Sequence, residues 1–215
     1  MVPVQGGSFT MGGHDRFNDG GPPGSADECP HTVTDEDFSI GKYEVTQADW
    51  FAVMGTNPSY FTGNPECPVE MVSWHDVQEF IRKLNAKSGE KYRLPTEEEW
   101  EFCARGGVKS RGYRYAGSDK PGDVAWFSEN SERKSHPVGK LSPNELGIYD
   151  MSGNIWEWCS DFKTPYPCDE TGKKFQVPVL RGGTWASTED SIRTLDRNGR
   201  DPHLRLHTLG FRLAK

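Results

Sequence analysis

The sequence predicts one loop-rich α+β domain, with two to three helices in its first half and short antiparallel strands around and after them. Three observations predict it. Capped segments of helical period occur only before Gly107. Beyond Gly107, turn residues recur every few positions and no helical period returns. Glycine (24) and proline (15) are frequent among the 215 residues, while seven Trp, seven Tyr and eleven Phe supply large surfaces to bury. Helices gathered early and irregular β structure late argue against an alternating parallel sheet.

In order along the chain, Val2 to Met11 alternates loosely and predicts a first strand. Gly12 to Pro30 is rich in Gly, Pro and Asp and predicts a surface loop. Phe38 to Glu44 predicts a second strand running into a helix. That helix has Thr46 as N-cap, Trp50, Phe51 and Met54 on one side, and Gly55 as its stop. A second helix is expected over about Trp74 to Lys87, capped by Ser73 and ended by Gly89. Val77, Phe80, Ile81 and Leu84 form its apolar stripe. A third opens at Thr96, where Glu99 completes a capping box. Trp100 and Cys103 face inward, and Gly106–Gly107 stop it. Glu97, Glu98 and Glu99 could be read as an acid/base cluster, but helix N-terminal placement explains them more simply.

A net charge of -7 argues against a nucleic-acid partner, which needs a positive footprint. No apolar run reaches the roughly 18 residues a membrane span needs. The opening MVPVQGGSF lacks the basic and apolar regions of a signal peptide. Five cysteines (Cys29, Cys67, Cys103, Cys159, Cys168) exclude an all-disulfide framework. Cys159 and Cys168 could bridge across a short loop or stay unpaired. Neither CxxC nor zinc-ligand spacing occurs.

Several segments together carry a resemblance: VPVQGGSFTMG, GKYEVTQADWFAVMG, PVEMVSWHDVQEFIRKLN, YRLPTEEEWEFCARGG, PNELGIYDMSGNIWEWCSD and VLRGGTW…LGFRLA. In this order they resemble the formylglycine-generating-enzyme type of C-type lectin fold, and they cover nearly the entire chain. The resemblance implies a single domain over 1–215. It does not fix function, because that fold carries both enzymes and binding proteins. The copper-using enzymes of the family have two cysteines at the second and seventh positions past the aromatic of the RGG motif. Those positions here are Ser187 and Ile192, and neither side chain replaces a thiolate on copper.

The resemblance also implies a calcium loop in DMSGNIWEW, with the Asp150 and Glu157 side chains and the Gly153 and Ile155 carbonyls as ligands. The same residues also read as a structural turn with Trp156 and Trp158 packed inward. No cofactor is expected beyond that structural ion.

The segment from Arg181 to Leu213 decides the functional reading. A frame of Arg181, Gly182, Gly183, Trp185, Pro202, Gly210, Phe211 and Arg212 encloses residues without helical or strand period. The non-catalytic branch that the chain most resembles comprises the variable proteins of diversity-generating retroelements. In these, adenine replacement in Asn codons never yields Lys, Gln, Met, Trp or Glu. Those five types make up 43 of residues 1–185 but only one, Glu189, of the 28 from Ala186 to Leu213. The deficit predicts a variable region over 181–213.

Its expected contact residues are Ala186, Ser187, Thr188, Ser191, Asp196, Asn198, Gly199, Arg200, Asp201, His203, Leu204, Leu206, His207 and Thr208. Such small, adaptable polar groups suit a binding loop on a fixed scaffold, and they are expected to share one continuous face. Arg193 and Arg197, with Arg181, read as clamps on loop carbonyls or carboxylates. His203 and His207, four apart, invite a metal reading, although exposed loop histidines serve as well.

The function expected is non-enzymatic ligand binding by a monomer, toward an unidentified protein or cell-surface ligand. Export to a bacterial surface is implied by the resemblance alone. The alternatives are a sulfatase-modifying-type oxidase without the usual cysteine pair, and an undiversified scaffolding domain.

Overall fold

The structure is a computed structural model that describes residues 1–13, 30–163 and 176–215. Most of the expected Gly12–Pro30 loop, and Cys168, lie outside the described residues. The first strand divides in two: β1 (Val2–Val4) and β2 (Gly7–Met11) take different antiparallel partners, β4 (Phe38–Ile40) and β3 (His31–Asp35) respectively. Gly6 makes the jog. A side chain there would run into the Asp35 carbonyl at 2.3 Å, and its N–H donates to Asp37 Oδ1 at 2.8 Å. β4 stops at Ile40 because the chain then turns to the C-terminus. Gly41 N–H donates to Leu213 O and Val45 N–H to Phe211 O, at 2.7 and 2.9 Å.

All three expected helices form, each opened by a complete capping box. In α1 (Gln47–Met54), Trp50 is buried and stacks on Phe80 with ring centroids 5.1 Å apart. Phe51 departs from expectation: it is 57% exposed. One residue along a helix is about 100° around it, and α1 rests on the core through the Trp50 side only. α2 (Trp74–Ser88) buries Val77, Phe80 and Ile81. α3 (Glu97–Ala104) lies inside the protein, with Glu97, Glu99 and Glu101 buried beside Trp100, Phe102, Cys103 and Ala104. Beyond these, the described residues hold a one-turn α4 (Pro121–Val124).

A four-stranded sheet carries the second half, in the order β7 (Arg197–Gly199), β6 (Pro178–Arg181), β5 (Trp156–Phe162), β8 (Leu209–Gly210). β8 runs parallel to β5 and the other pairs are antiparallel. Alternate residues point to opposite faces of a strand. Trp158 and Leu180 accordingly enter the core with α1 and α2, whereas Cys159 and Val179 enter the one with α3 and the N-terminal strands. Buried on both faces, the sheet is the rigid element from which the C-terminal segment hangs.

Candidate functional site

The segment leaves β6 at Arg181 through two left-handed glycines, Gly182 (φ +97°) and Gly183 (φ +78°). A side chain at Gly183 would meet the Ser191 carbonyl at 2.4 Å, so only glycine lets the following turn fold back this closely. The scaffold residues sit inside. Arg181 is wholly buried and donates to the carbonyls of Thr194, Leu195 and Asp196 at 3.2, 2.8 and 2.7 Å, and to the Glu101 carboxylate. Arg197 forks onto Glu97 at 2.8 and 2.6 Å. Arg193 donates to Asp190 O and to Asp196 Oδ1, both at 2.7 Å. The acids at the start of α3 thus find their partners: Glu97 on Arg197, Glu99 on Arg93, and Glu101 on Arg181 and Arg105. The acid/base reading of Glu97–Glu99 has no support here, since two of the three are held in buried or half-buried ion pairs.

None of the fourteen expected contact residues is buried, and Ala186, Thr188, Ser191, Arg200, Asp201, His203 and Leu206 are exposed. They are not gathered in one place. Ala186 and His207 line an open cleft of about 590 Å³ with Trp185, Tyr60, Phe61, Ser128, Ser131 and Arg133. Ser187 lies beside it, where its carbonyl accepts from Ser128 N–H at 3.0 Å. Asn198 and Gly199 belong to β7 and Arg200 follows them, on the sheet edge opposite β8. Three strand spacings, about 14 Å, separate β7 from β8.

Some of the fourteen are also structural. Leu204 is half-buried against the main core. The Asp196 carboxylate is taken by Arg193, and a side chain at Gly199 would press Val177 at 2.8 Å. The expectation of one continuous face therefore narrows to a cleft group and a separate edge group.

The cleft wall contains residues the sequence did not flag. Tyr60 is 70% exposed and meets Phe61 edge-on at 5.1 Å. Phe61 meets Trp185 edge-on at 5.6 Å, and His207 packs against all three rings within 5.9 Å. Beneath them Glu70 is buried and accepts from the Phe61 N–H at 2.8 Å; burial holds its carboxyl above the usual range. The adjacent aromatics Tyr60 and Phe61, before the turn residues Gly63 to Pro65, were the one available signal.

The positions of the enzymes' thiols are equally plain. Ser187 accepts from Thr184 N–H at 3.0 Å, and Ile192 is buried among Tyr115, Val124, Ala125 and Phe127. Cys67, Cys103 and Cys159 are buried and unpaired, with burial pushing each thiol's pKa up. Cys168, the other half of the expected bridge from Cys159, lies outside the described residues.

In the DMSGNIWEW loop, three buried carboxylates (Glu44, Asp150, Glu157) cluster about a single buried guanidinium, Arg212. Arg212 takes both Glu157 oxygens at 2.6 Å, and Trp100 Nε1–H donates to Oε2 at 2.7 Å. Glu44 accepts from Asn154 Nδ2 at 2.6 Å and Asp150 from Gly139 N–H at 2.7 Å. Burial, and then the charges of Asp150 and Glu157, push Glu44 well above the usual carboxylate range; burial pushes Asp150 to about 6. Excess carboxylate charge fits a hard cation chemically. Of the implied side-chain ligands, Glu157 is engaged by Arg212 and Asp150 accepts from the Gly139 N–H. Among the described residues, no three His, Cys, Asp or Glu side chains stand as a ready-made metal cage.

The whole chain, residues 1–215, matches the family model of the sulfatase-modifying factor enzyme 1-like domain. The chain belongs to this family. Among its relatives, the chaperone protein LppX of Paenibacillus barcinonensis is 35% identical, over 79% of each chain. The formylglycine-generating enzyme of Streptomyces coelicolor is 32% identical over 79% of this chain and 59% of its own. The inactive C-alpha-formylglycine-generating enzyme 2 of Mus musculus is 36% identical over 69% of this chain and 49% of its own. Among solved structures, Treponema denticola variable protein 1 superposes with a TM-score of 0.86 at 30% identity, covering 100% of this chain and 94% of that one. The α+β, C-type lectin-like fold is that of these neighbours. Its relatives and neighbours thus include a formylglycine-generating enzyme, an inactive homologue and a variable protein, and the shared fold does not choose among them.

Proposed function

We propose that the chain is a non-enzymatic binding protein whose C-terminal segment presents a diversified surface, as in the variable protein it resembles. The observation that carries this is the division of labour within Arg181–Leu213. Arg181, Ile192, Thr194, Phe211 and Arg212 are buried and fixed, while all fourteen contact residues reach solvent. Ser187 and Ile192 in place of the thiol pair support the absence of the copper oxidase chemistry. The aromatic cleft is the part of the surface best suited to supply affinity, since Tyr and Trp dominate binding hot spots. Arg133 and His207 at its rim favour a ligand with polar or acidic groups. A monomer exported to a cell surface is the setting this reading implies; among the described residues, no helix is long and apolar enough to cross a membrane.

A structural calcium ion belongs to the same proposal. Asp150, Glu44 and the carbonyls of Gly153 and Ile155 would hold it, and it would neutralise the charge that Arg212 leaves unmatched.

The genomic DNA beside the coding region tests the reading. A near-copy of the final hundred or so bases, differing only at adenines and lying by a reverse transcriptase, is expected. Its absence removes diversification. Conversion of a sulfatase-motif cysteine by the purified protein supplied with copper and oxygen would overturn the non-enzymatic claim.

A further inference from the structure

The loop that carries His203 is fastened to the start of α2. Trp74 N–H donates to Pro202 O at 3.1 Å and Met71 N–H to Leu206 O at 3.0 Å. Arg205 closes the junction with a forked ion pair to Asp76, at 2.6 and 2.8 Å. Inside the loop, His203 N–H donates to Asp201 Oδ1 at 2.8 Å, an Asx turn that fixes the residue's backbone. The outcome is a meeting of two imidazoles 128 residues apart in sequence: His75 and His203, with ring centroids 4.5 Å apart and planes tilted by 42°. Both are exposed. The Trp74 indole backs His75 edge-on at 5.5 Å and limits its rotation.

We propose that His75 and His203 together form a transition-metal site. Each offers ring nitrogens as donors, and imidazole suits copper, nickel and zinc ions. Metal–nitrogen bonds of about 2.0–2.1 Å require the two donor atoms roughly 3 Å apart. Rings with centroids at 4.5 Å reach that separation by small side-chain rotations. The backbone beneath needs no movement, because the hydrogen bonds and the Arg205–Asp76 pair already hold it.

Two protein ligands leave coordination positions open for water, or for a histidine or carboxylate of a bound partner. The ion is thus bound reversibly and takes no part in folding. The order of affinity for such nitrogen donors places Cu²⁺ above Ni²⁺ and Zn²⁺. His207, four residues beyond His203, does not share the site: its ring lies in the aromatic cleft against Tyr60 and Trp185. The pairing suggested by spacing alone, His203 with His207, is replaced by one across the fold. This site shares His203 with the binding surface proposed above, but it does not need that reading.

The test is calorimetric titration of the tag-free protein with Cu²⁺, Ni²⁺ and Zn²⁺ in a non-coordinating buffer near neutral pH, with copper electron paramagnetic resonance. One Cu²⁺ per chain is expected, held more tightly than Ni²⁺ or Zn²⁺, with nitrogen couplings from two imidazoles. His75→Ala and His203→Ala should each weaken it by more than the roughly tenfold that loss of an outer-shell partner costs. The double variant should bind no more tightly than either single one, and His207→Ala should match the parent. Both side chains are exposed, so the variants keep the fold. Binding unaffected by His75→Ala or His203→Ala, binding equally weakened by His207→Ala, or no binding at millimolar metal would each overturn the site.

Discussion

If Arg181 is the clamp that suspends the C-terminal segment, its replacement must cost far more than that of any exposed arginine. Arg181→Met keeps the length and apolar stem but removes the charge and every donor. The side chain is wholly buried, its guanidinium lies 5.3 Å from the centre of the Trp100 ring, and it hydrogen-bonds the Glu101 carboxylate and three carbonyls and pairs with Glu97 at 3.8 Å. Removing one partner of a buried ion pair costs about 3–5 kcal/mol. Each buried carbonyl left without a donor costs about 1–3 kcal/mol, although these losses share one side chain and do not add fully. Arg105 still reaches Glu101 at 2.9 Å and recovers part of the first loss. The expected net is about 4 kcal/mol, a large share of the roughly 5–15 kcal/mol that holds a domain folded. Arg205→Ala, which breaks an ion pair exposed at 54% and 29%, should cost less than about 1 kcal/mol. Urea denaturation gives both numbers, and native-state hydrogen exchange of the amides of residues 194–199 locates the first. A loss below about 1.5 kcal/mol for Arg181→Met, or protection at 194–199 unchanged relative to the rest of the chain, would refute the clamp.

Three further outcomes are expected. Asp35 is raised to about 6 by burial and by the charges of Glu98 and Glu99, so the fold prefers it protonated. Its contribution is full below the ordinary value near 3.8 and is lost as pH rises through 6. Asp35→Asn should therefore be neutral near pH 4 and stabilising at pH 7. The shift corresponds to at most ~3 kcal/mol, which solvent at this half-exposed site reduces to about 1 kcal/mol; a thermal-melt series against pH that shows no divergence between the two proteins counts against it. Alanine at Thr188, Ser191, Arg200, His203 and Leu206 together should change stability by no more than about 2.5 kcal/mol, since exposed sites give within ±0.5 each, whereas Ile192→Asn alone should cost more than that by burying an amide. Denaturation midpoints in the reverse order would show that the scaffold and the surface have been confused. Millimolar calcium should raise the melting temperature by a few degrees over EDTA, and Asp150→Asn should abolish the difference; identical melts would mean that protons, not a cation, neutralise the Glu44–Asp150 cluster.

The helices were legible because their signals are local. Thr46 with Asp49, Ser73 with Asp76, and Thr96 with Glu99 each close a box within four residues, and Gly55 and Gly89 end their helices in the left-handed region. What eluded the sequence depends on groups distant along the chain. The break between β1 and β2 is set by Asp35 and Asp37 pressing on Gly6. The burial of α3's glutamates is set by arginines up to a hundred positions away. The thiol positions at Ser187 and Ile192 could be read directly, but Tyr60 and Phe61 could not be placed opposite His207 by any local pattern. Motif order supplied the fold; the composition of the final segment supplied the idea of a variable surface, but not its division into a cleft and an edge.

That division follows from how the segment is attached. Besides buried Ile192 and Thr194 and the ion pairs of Arg193, Arg197 and Arg205, its anchors include backbone groups that any side chain would leave in place. Ser187 O accepts from Ser128 N–H, Pro202 O from Trp74 N–H, Leu206 O from Met71 N–H and Thr208 O from Trp156 N–H, at 2.8–3.1 Å. Arg181 likewise grips carbonyls and not side chains at 194–196. A loop fastened by its peptide groups keeps its path whatever residues it carries, provided none needs the space that Gly183, Gly199 or Gly210 leaves open. Side-chain identity is thereby uncoupled from stability over the exposed positions, which is the physical condition for a surface that can change what it binds without changing the fold that presents it.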